Sequence, residues 1–173
     1  MKISSRLIKS LNDQISLEGF ASNYYLSMAS WCEMTGYEGS AAFFYAQADE
    51  ERIHMLKIIH YLNDRGIQGI IPSIKQPPKL FKSLESLCKT ALKNEQLVTQ
   101  AIHKIVEQAQ KEKDHSTFTF LQWFVNEQVE EEKKFETILQ KFDLIGRDRL
   151  AINEIDKSLG TMATATPEGS TSN

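Results

Sequence analysis

The sequence predicts an all-α protein, a four-helix bundle with one long crossover loop and a short fifth helix at its C-terminal end. Glycine and proline, the residues that interrupt helices, are confined to a few places in the 173 residues. Neither occurs within residues 40–65 or 79–145, whereas residues 66–78 hold two glycines and three of the four prolines. Between these interruptions, apolar residues recur at the three-and-four spacing of amphipathic helices.

The positions of glycine and proline predict the helices in chain order. The first pair of helices is separated by the turn TGYEGS at residues 35–40, which carries two glycines. The second pair is separated near residue 114, where Asp114 or Ser116 is a candidate N-cap. A fifth helix begins after Gly146. The predicted limits are about 5–35, 39–65, 83–110 and 115–142 for the four long helices and about 147–159 for the fifth.

The connections determine the topology of the bundle. Short turns make the first and second helices antiparallel neighbours, and likewise the third and fourth. The middle connection has about 17–20 residues without a helix of its own, which is unusual for a compact domain. A 27-residue helix is about 40 Å long, and about 18 extended residues reach roughly 60 Å. The loop is therefore long enough to run the length of the bundle.

Composition excludes several classes of protein. Hydrophobic residues make up 41% and charged residues 25%, values typical of a globular domain. The net charge of -3 disfavours a nucleic-acid partner. No run approaches the roughly 20 apolar residues of a membrane span, and the N-terminus lacks a signal-peptide pattern, so a cytoplasmic location is expected. Cys32 and Cys88 are interpreted as core residues. Residues 1–160 are predicted to form one domain and residues 161–173 a flexible polar tail.

Each long helix carries one glutamate in its apolar stripe. The four are Glu18, Glu51, Glu95 and Glu131. All lie near the middle of their helices, so they are expected to meet at one level whichever way each helix runs. For any one of these glutamates, a position at a solvent-exposed edge of the bundle is the simpler interpretation, because buried unpaired acids are rare. Four at matched depth favour a shared site.

Four buried carboxylates need a compensating charge, since isolated buried charges are costly and like charges repel. No lysine or arginine lies in the four stripes, and Glu132, Lys133 and Lys134 are assigned to the solvated face. The remaining source of positive charge is a metal cation. His54 follows Glu51 by three residues and shares its face. Carboxylates with one imidazole suit iron, manganese or zinc.

The segments around these residues resemble those of bacterial non-haem ferritins over roughly residues 3–160. The supporting stretches are LNDQISLE (11–18), EERIHM (50–55), NEQLVTQ (94–100) and FLQWFVNEQVEEEKKF (120–135). One Glu-x-x-His motif is intact at Glu51 and His54. In the fourth helix, Gln128 and Glu131 stand where a second such motif would be. That departure is similar to the non-haem ferritins rather than to the bacterioferritins.

The resemblance implies iron storage and detoxification. Fe(II) would be oxidised to Fe(III) by O2 or H2O2 at an intra-subunit diiron centre, and ferric mineral would be deposited inside a homo-oligomeric shell of twenty-four subunits. By this resemblance one iron would be held by Glu18, Glu51 and His54, and the second by bridging Glu51 with Glu95 and Glu131. Gln128 would lie nearby.

The resemblance also implies supporting residues. A third iron site would use Glu50, Glu127 and Glu130, with a contribution from Glu131. Tyr25, on the same face as Glu18, would hydrogen-bond the centre and supply an electron, a role also considered for Trp123. Haem is not expected, because Arg52 stands where bacterioferritins carry a methionine ligand.

Two alternatives stay open at this point. A diiron oxygenase would use the same bundle, but such enzymes keep two Glu-x-x-His motifs. A non-catalytic helical interaction protein would bind no metal and leaves the four glutamates unexplained. Gly19, inside the first helix, costs about 1 kcal/mol relative to alanine, and nothing in the sequence accounts for it.

Overall fold

The computed structural model describes residues 3–164, which form five α-helices without a strand. In chain order they are α1 (Ser5–Thr35), α2 (Glu38–Asp64), α3 (Leu84–Lys111), α4 (His115–Ile145) and α5 (Arg149–Thr164). The all-α fold class is confirmed. Among the described helices, none is both long and apolar enough to cross a lipid bilayer.

Side-chain caps define where three of the helices begin. The hydroxyls of Ser4 and Ser83 accept the backbone N–H of the residue three positions later, at the starts of α1 and α3. Asp114 does the same for α4, accepting the N–H of Thr117 at 3.0 Å. Of the two candidate caps, Asp114 is therefore the one used. These bonds satisfy amide groups that the first turn of a helix leaves without partners.

The crossover loop runs along α1 as predicted. Near one end of α1, the side chain of Asn12 accepts the backbone N–H of Ile70 at 2.7 Å. Fifteen residues further along the helix, the Ser27 hydroxyl donates to the carbonyl oxygen of Pro78. The loop thus carries the chain from one end of the bundle to the other, and α3 contacts α1.

Gly19 is explained by this loop. A Cβ atom on Gly19 would lie 3.1 Å from Cδ1 of Ile74 in the loop and 3.1 Å from Sδ of Met55 in α2. Pro72 lies slightly further away. The missing side chain allows the crossover loop and α2 to pack directly on α1, one residue from Glu18.

Two apolar clusters fill the bundle. One contains the buried Tyr25, Phe44, Cys88, Phe135 and Ile155. The other contains Leu11, Ile15, Ile58, Ile102 and Phe124. Cys32 is also buried in the first cluster, so the core assignment of both cysteines is confirmed. The four stripe glutamates belong to neither cluster, and all are buried.

The fifth helix packs across the beginning of α2. The carboxylate of Asp156 accepts hydrogen bonds from the N–H of Gly39, and from the N–H and hydroxyl of Ser40 at 2.7 and 2.6 Å. A Cβ atom on Gly39 would lie 2.1 Å from the carbonyl oxygen of Asp156, so only glycine permits this approach. Asp156 therefore caps α2 from another helix.

The fifth helix is longer than predicted. It extends through Thr164, the last described residue, rather than ending near 159, because Met162 and Ala163 continue its apolar face onto the core. The predicted polar tail of residues 161–173 thus begins inside α5. Residues 165–173 lie outside the described part of the chain.

Candidate metal centre

Buried acids from all four long helices converge between the two apolar clusters. Glu18 and Glu51 lie in α1 and α2, and Glu95 and Glu131 in α3 and α4. Each exposes no more than 1% of its surface, and His54 exposes 2%. The helix periods place these residues on inward faces, and the similar depth in each helix brings them to one level.

The first half of the centre consists of Glu18, Glu51 and His54. Their ligand atoms all lie within 4.8 Å of one another. One oxygen of Glu18, both oxygens of Glu51 and Nδ1 of His54 have no hydrogen-bond partner among the described residues. Buried polar atoms are nearly always paired. A group of converging unpartnered donor atoms of these types fits a metal ion.

Neighbouring side chains orient this half. Gln14, one helical turn before Glu18, donates a hydrogen bond from Nε2 to Glu18 Oε1 at 2.8 Å. The His54 ring packs edge-on against Trp123 and Phe124, with centroid separations of 5.3 and 6.1 Å. Trp123 therefore contacts a member of the centre.

The second half consists of Glu95 and Glu131, and its oxygens have donors. The Tyr25 hydroxyl donates to Glu95 Oε1, and Gln128 Nε2 donates to Glu95 Oε2 at 3.1 Å. Gln47 Nε2 donates to Glu131 Oε2 at 3.0 Å. These bonds orient both carboxylates, as groups behind metal ligands commonly do.

Tyr25 is itself held rigidly. Its ring stacks between Phe44 and Phe135, with centroid separations of 5.9 and 6.0 Å and interplanar angles of 21° and 9°. Burial, and then the nearby charge of Glu95, raise the pKa of its hydroxyl well above the usual value. Tyr25 is thus a neutral donor to Glu95 at ordinary pH.

Burial raises the pKa of all four glutamates. For Glu18 and Glu51 the pKa lies well above the usual range, because desolvation is reinforced by the neighbouring carboxylates. Desolvation also raises the pKa of Glu95, and it raises that of Glu131 to about 7. The centre therefore favours either protonated carboxyls or a bound cation, since both remove uncompensated negative charge.

Lys134 contacts this centre, contrary to its assignment to the solvated face. Its ammonium group donates to Glu131 Oε1 at 2.7 Å, to Gln47 Oε1 at 2.8 Å and to Glu50 Oε2 at 3.2 Å. Burial alone would lower the pKa of Lys134, but Glu131 and Glu50 outweigh it, and the pKa is raised. The Cα position of Lys134 lies outside the apolar stripe, but its long side chain reaches back one turn.

The predicted third site is only partly assembled. The structure brings Glu50 and Glu127 together with His54, with ligand atoms within 4.8 Å of one another. Glu130 is exposed and is not a member of that group. One oxygen of Glu50 is bound by Lys134.

Three further residues of the centre, Gln14, Gln47 and Lys134, were not predicted from the sequence. All three lie three or four residues from a stripe glutamate in the same helix. Gln14 and Gln47 precede Glu18 and Glu51 by four residues, and Lys134 follows Glu131 by three. Such spacings place two side chains on neighbouring parts of one helix face. The spacing does not predict which glutamate each amide contacts. Gln47 is spaced to meet Glu51, yet it donates across the bundle to Glu131.

Comparisons with known proteins agree on one family. Residues 8–145 match the family model described as a ferritin-like domain. A probable bacterial non-heme ferritin-like protein of Haemophilus influenzae is 43% identical over 162 residues, covering 94% of this chain and 98% of the relative. A bacterial non-heme ferritin of Staphylococcus aureus is 42% identical over 159 residues, covering 92% and 96%.

Solved structures show the same fold. An open pore ferritin from the archaeon Archaeoglobus fulgidus superposes with a TM-score of 0.89 at 37% identity, covering 91% of this chain and 96% of that one. A humanized archaeal ferritin also superposes with a TM-score of 0.89 at 37% identity, with 92% and 96% covered. The chain therefore belongs to the ferritin family of iron-storage proteins.

Proposed function

We propose that this chain is a ferroxidase that oxidises Fe(II) at the buried carboxylate centre and delivers Fe(III) for storage as a mineral. The observation that carries the proposal is the set of unpartnered donor atoms on Glu18, Glu51 and His54, deep inside the bundle. Metal-free, these atoms have an unfavourable environment. Bound to a divalent cation, they would be satisfied.

The arrangement supports two iron positions that share Glu51. The first position has Glu18, Glu51 and His54 as ligands. The second has Glu51 together with Glu95 and Glu131. The unpartnered state of both Glu51 oxygens supports a bridging role, because each oxygen is free to bind a different ion. Two-metal sites hold their ions about 3.5–4 Å apart.

The residues divide the chemistry between them. Each Fe(II) gives up one electron, and the two electrons together with two protons reduce O2 to H2O2, or H2O2 to two waters. Hard carboxylate oxygens favour the ferric product, which makes oxidation more favourable. Gln128 and Tyr25 hold Glu95 by hydrogen bonds while its charge environment changes. Complete reduction of O2 to two waters takes four electrons and four protons. We propose that Tyr25, which contacts Glu95, and Trp123, which contacts His54, each supply one of the two electrons that the pair of Fe(II) ions lacks.

We further propose that copies of this chain assemble into a homo-oligomeric shell of twenty-four subunits. Large apolar side chains that a single chain leaves exposed support an assembly. They include Met34, Ile70, Ile71, Leu80, Leu144 and Leu150. Exposed apolar side chains are individually ordinary, but three of these lie on the crossover loop. The mass of the native particle, measured by light scattering after size-exclusion chromatography, tests the number of subunits. A cytoplasmic location stays a prediction.

An anaerobic titration of the apo protein with Fe(II), followed by air, tests the ferroxidase. The wild type is expected to bind iron at the centre and to develop near-ultraviolet ferric–oxo absorbance rapidly, with two irons oxidised per chain. Glu51→Ala is expected to lose the rapid phase, because both iron positions use Glu51. Glu107→Ala, which changes an exposed glutamate of α3, is the matched control. Oxidation of wild-type samples no faster than in buffer would contradict the proposal.

A further inference from the structure

Lys134 places a permanent positive charge at the outer edge of the carboxylate centre. Its ammonium has three N–H donors, and the structure gives it three oxygen acceptors at 2.7, 2.8 and 3.2 Å. These are one oxygen each of Glu131, Gln47 and Glu50. All the hydrogen-bonding capacity of the ammonium is used, so the group is fixed rather than mobile.

The same three oxygens resemble a cation site. Two carboxylates and an amide carbonyl are the ligand types that hard metal ions prefer. They come from two helices, α2 and α4, and they lie between the inner acid Glu131 and the outer acid Glu50. Glu127, the remaining outer acid, is gathered near Glu50 and His54.

We propose that the ammonium of Lys134 takes the place of a third metal ion beside the diiron centre. It bridges Glu131 and Glu50 as a divalent cation would, and it binds one oxygen of each, so two of the four predicted ligands of a third ion are already engaged. The chain is therefore a two-iron ferroxidase at this centre, and the third site predicted on Glu50, Glu127 and Glu130, with a contribution from Glu131, does not fill. This inference rests on the proposed function.

The charge balance supports this role. Within the described residues, Lys134 is the cationic side chain that forms ion pairs with Glu131 and Glu50. Its removal would leave a buried carboxylate beside a half-buried one without the attraction that holds them together. A third divalent ion would then restore the balance, and both carboxylates would be free to bind it.

Counting bound ions tests the proposal. Anaerobic equilibrium dialysis against Fe(II) is expected to give two ions per chain at the centre for the wild type and three for Lys134→Gln. Lys134→Arg keeps a cation and is expected to give two. Lys133→Gln removes the same charge from an exposed neighbour, so it corrects the count for ions held loosely at the surface.

Stability of the apo protein gives a second measurement that does not depend on oxidation. Without metal, Lys134→Gln is expected to unfold at a lower guanidinium concentration than the wild type. Mn(II), which is not oxidised by air under these conditions, is expected to raise the midpoint of Lys134→Gln more than that of the wild type. Lys133→Gln is expected to match the wild type in both respects.

The outcomes separate this inference from the function on which it rests. Three ions in the wild type, or two in Lys134→Gln, would overturn the role of Lys134 and leave the ferroxidase intact. If the wild type bound no more Fe(II) than Glu51→Ala, the proposed function itself would be overturned.

Discussion

Glu51 Oε2 lies 3.5 Å from His54 Nδ1 in the protein interior, and neither atom has a hydrogen-bond partner within the described chain. The separation is too long for a good hydrogen bond. Two adjacent ligands of one metal ion, each bound at about 2.1 Å, lie roughly 3 Å apart. The pair is therefore close to the spacing that a shared ion requires, which a small side-chain movement would complete.

The first prediction concerns the energetic cost of this arrangement. Glu51→Gln keeps the shape of the side chain and removes a carboxyl whose charged form is costly to bury, so the metal-free protein is expected to gain about 1–3 kcal/mol in free energy of unfolding. The variant is also expected to lose the stabilisation that metal gives the wild type. Guanidinium unfolding with and without Mn(II) measures both effects. Glu107→Gln, on the surface of α3, is expected to change neither. A less stable apo Glu51→Gln would show that Glu51 is compensated by some other group.

A second prediction concerns pH. The pKa of Glu131 rises to about 7 on folding. A carboxyl with a raised pKa stabilises the fold at pH values below its unfolded pKa, near 4.5, and this stabilisation is lost as pH rises through the folded pKa. The metal-free wild type should therefore lose stability relative to Glu131→Gln between about pH 4.5 and 7. The pair of unfolding curves recorded across this range measures the difference.

The pH effect should reverse when metal is present, because bound ions require deprotonated carboxylates. The stabilisation given by Mn(II) is expected to increase from pH 5 to pH 7 in the wild type. The pKa of Glu85 is lowered to about 2 by its hydrogen bonds to Arg147 and Lys89. Its contribution to stability therefore increases with pH, but only below about pH 4.5. It therefore does not obscure the result. A metal effect independent of pH would contradict binding by these glutamates.

The third prediction separates orientation of Glu95 from packing. Tyr25→Phe keeps the ring between Phe44 and Phe135 and removes only the hydroxyl that donates to Glu95. We expect Fe(II) oxidation to slow by about 10-fold, as is typical when a group behind a metal ligand is lost. Stopped-flow absorbance measures the rate. Tyr45→Phe, which removes an exposed hydroxyl bonded to Glu33, should react like the wild type. An equal loss in both variants would rule out a specific role for Tyr25.

The fourth prediction concerns Gly19 and the crossover loop. Gly19→Leu would force apart Ile74 and Met55, which would lie 3.1 Å from an added Cβ. A cost of about 1–3 kcal/mol is expected, typical of overpacking, and the loop should become easier to cleave by protease. Gly19→Ala should stay within about 1 kcal/mol of the wild type, because the gain in helix propensity offsets the small displacement of two flexible side-chain ends. If Gly19→Leu left stability and cleavage unchanged, the loop would not be held by this contact.

The fifth prediction concerns the attachment of α5. Asp156→Ala removes the hydrogen bonds to Gly39 and Ser40 at the start of α2 and is expected to cost about 1–2 kcal/mol. Glu154→Ala breaks the exposed pair with Lys157 in the same helix and should change stability by less than about 1 kcal/mol. Thermal and guanidinium unfolding of the two variants give the comparison. Equal effects would mean that Asp156 does not cap α2.

Much of the fold was predictable because its signals are local. Glycine and proline positions, caps such as Asp114 and the period of the apolar residues depend on a few neighbouring residues. Helix ends were less well predicted where the deciding contact is distant. The helix α5 continues beyond residue 159 because Met162 and Ala163 meet the core, and that contact cannot be recognised from the residues on either side.

The sequence by itself determined that four acids would enter the core. Glu18, Glu51, Glu95 and Glu131 each replace an apolar residue in a helical stripe, and the periodicity that buries the stripe buries the acid with it. Only the tertiary structure decided which neighbouring groups compensate the charges of these glutamates. The bonds from Gln47 to Glu131 and from Lys134 to Glu50 cross between α2 and α4. Long flexible side chains bind whichever partner lies within reach, and the packing of the helices sets which groups are within reach.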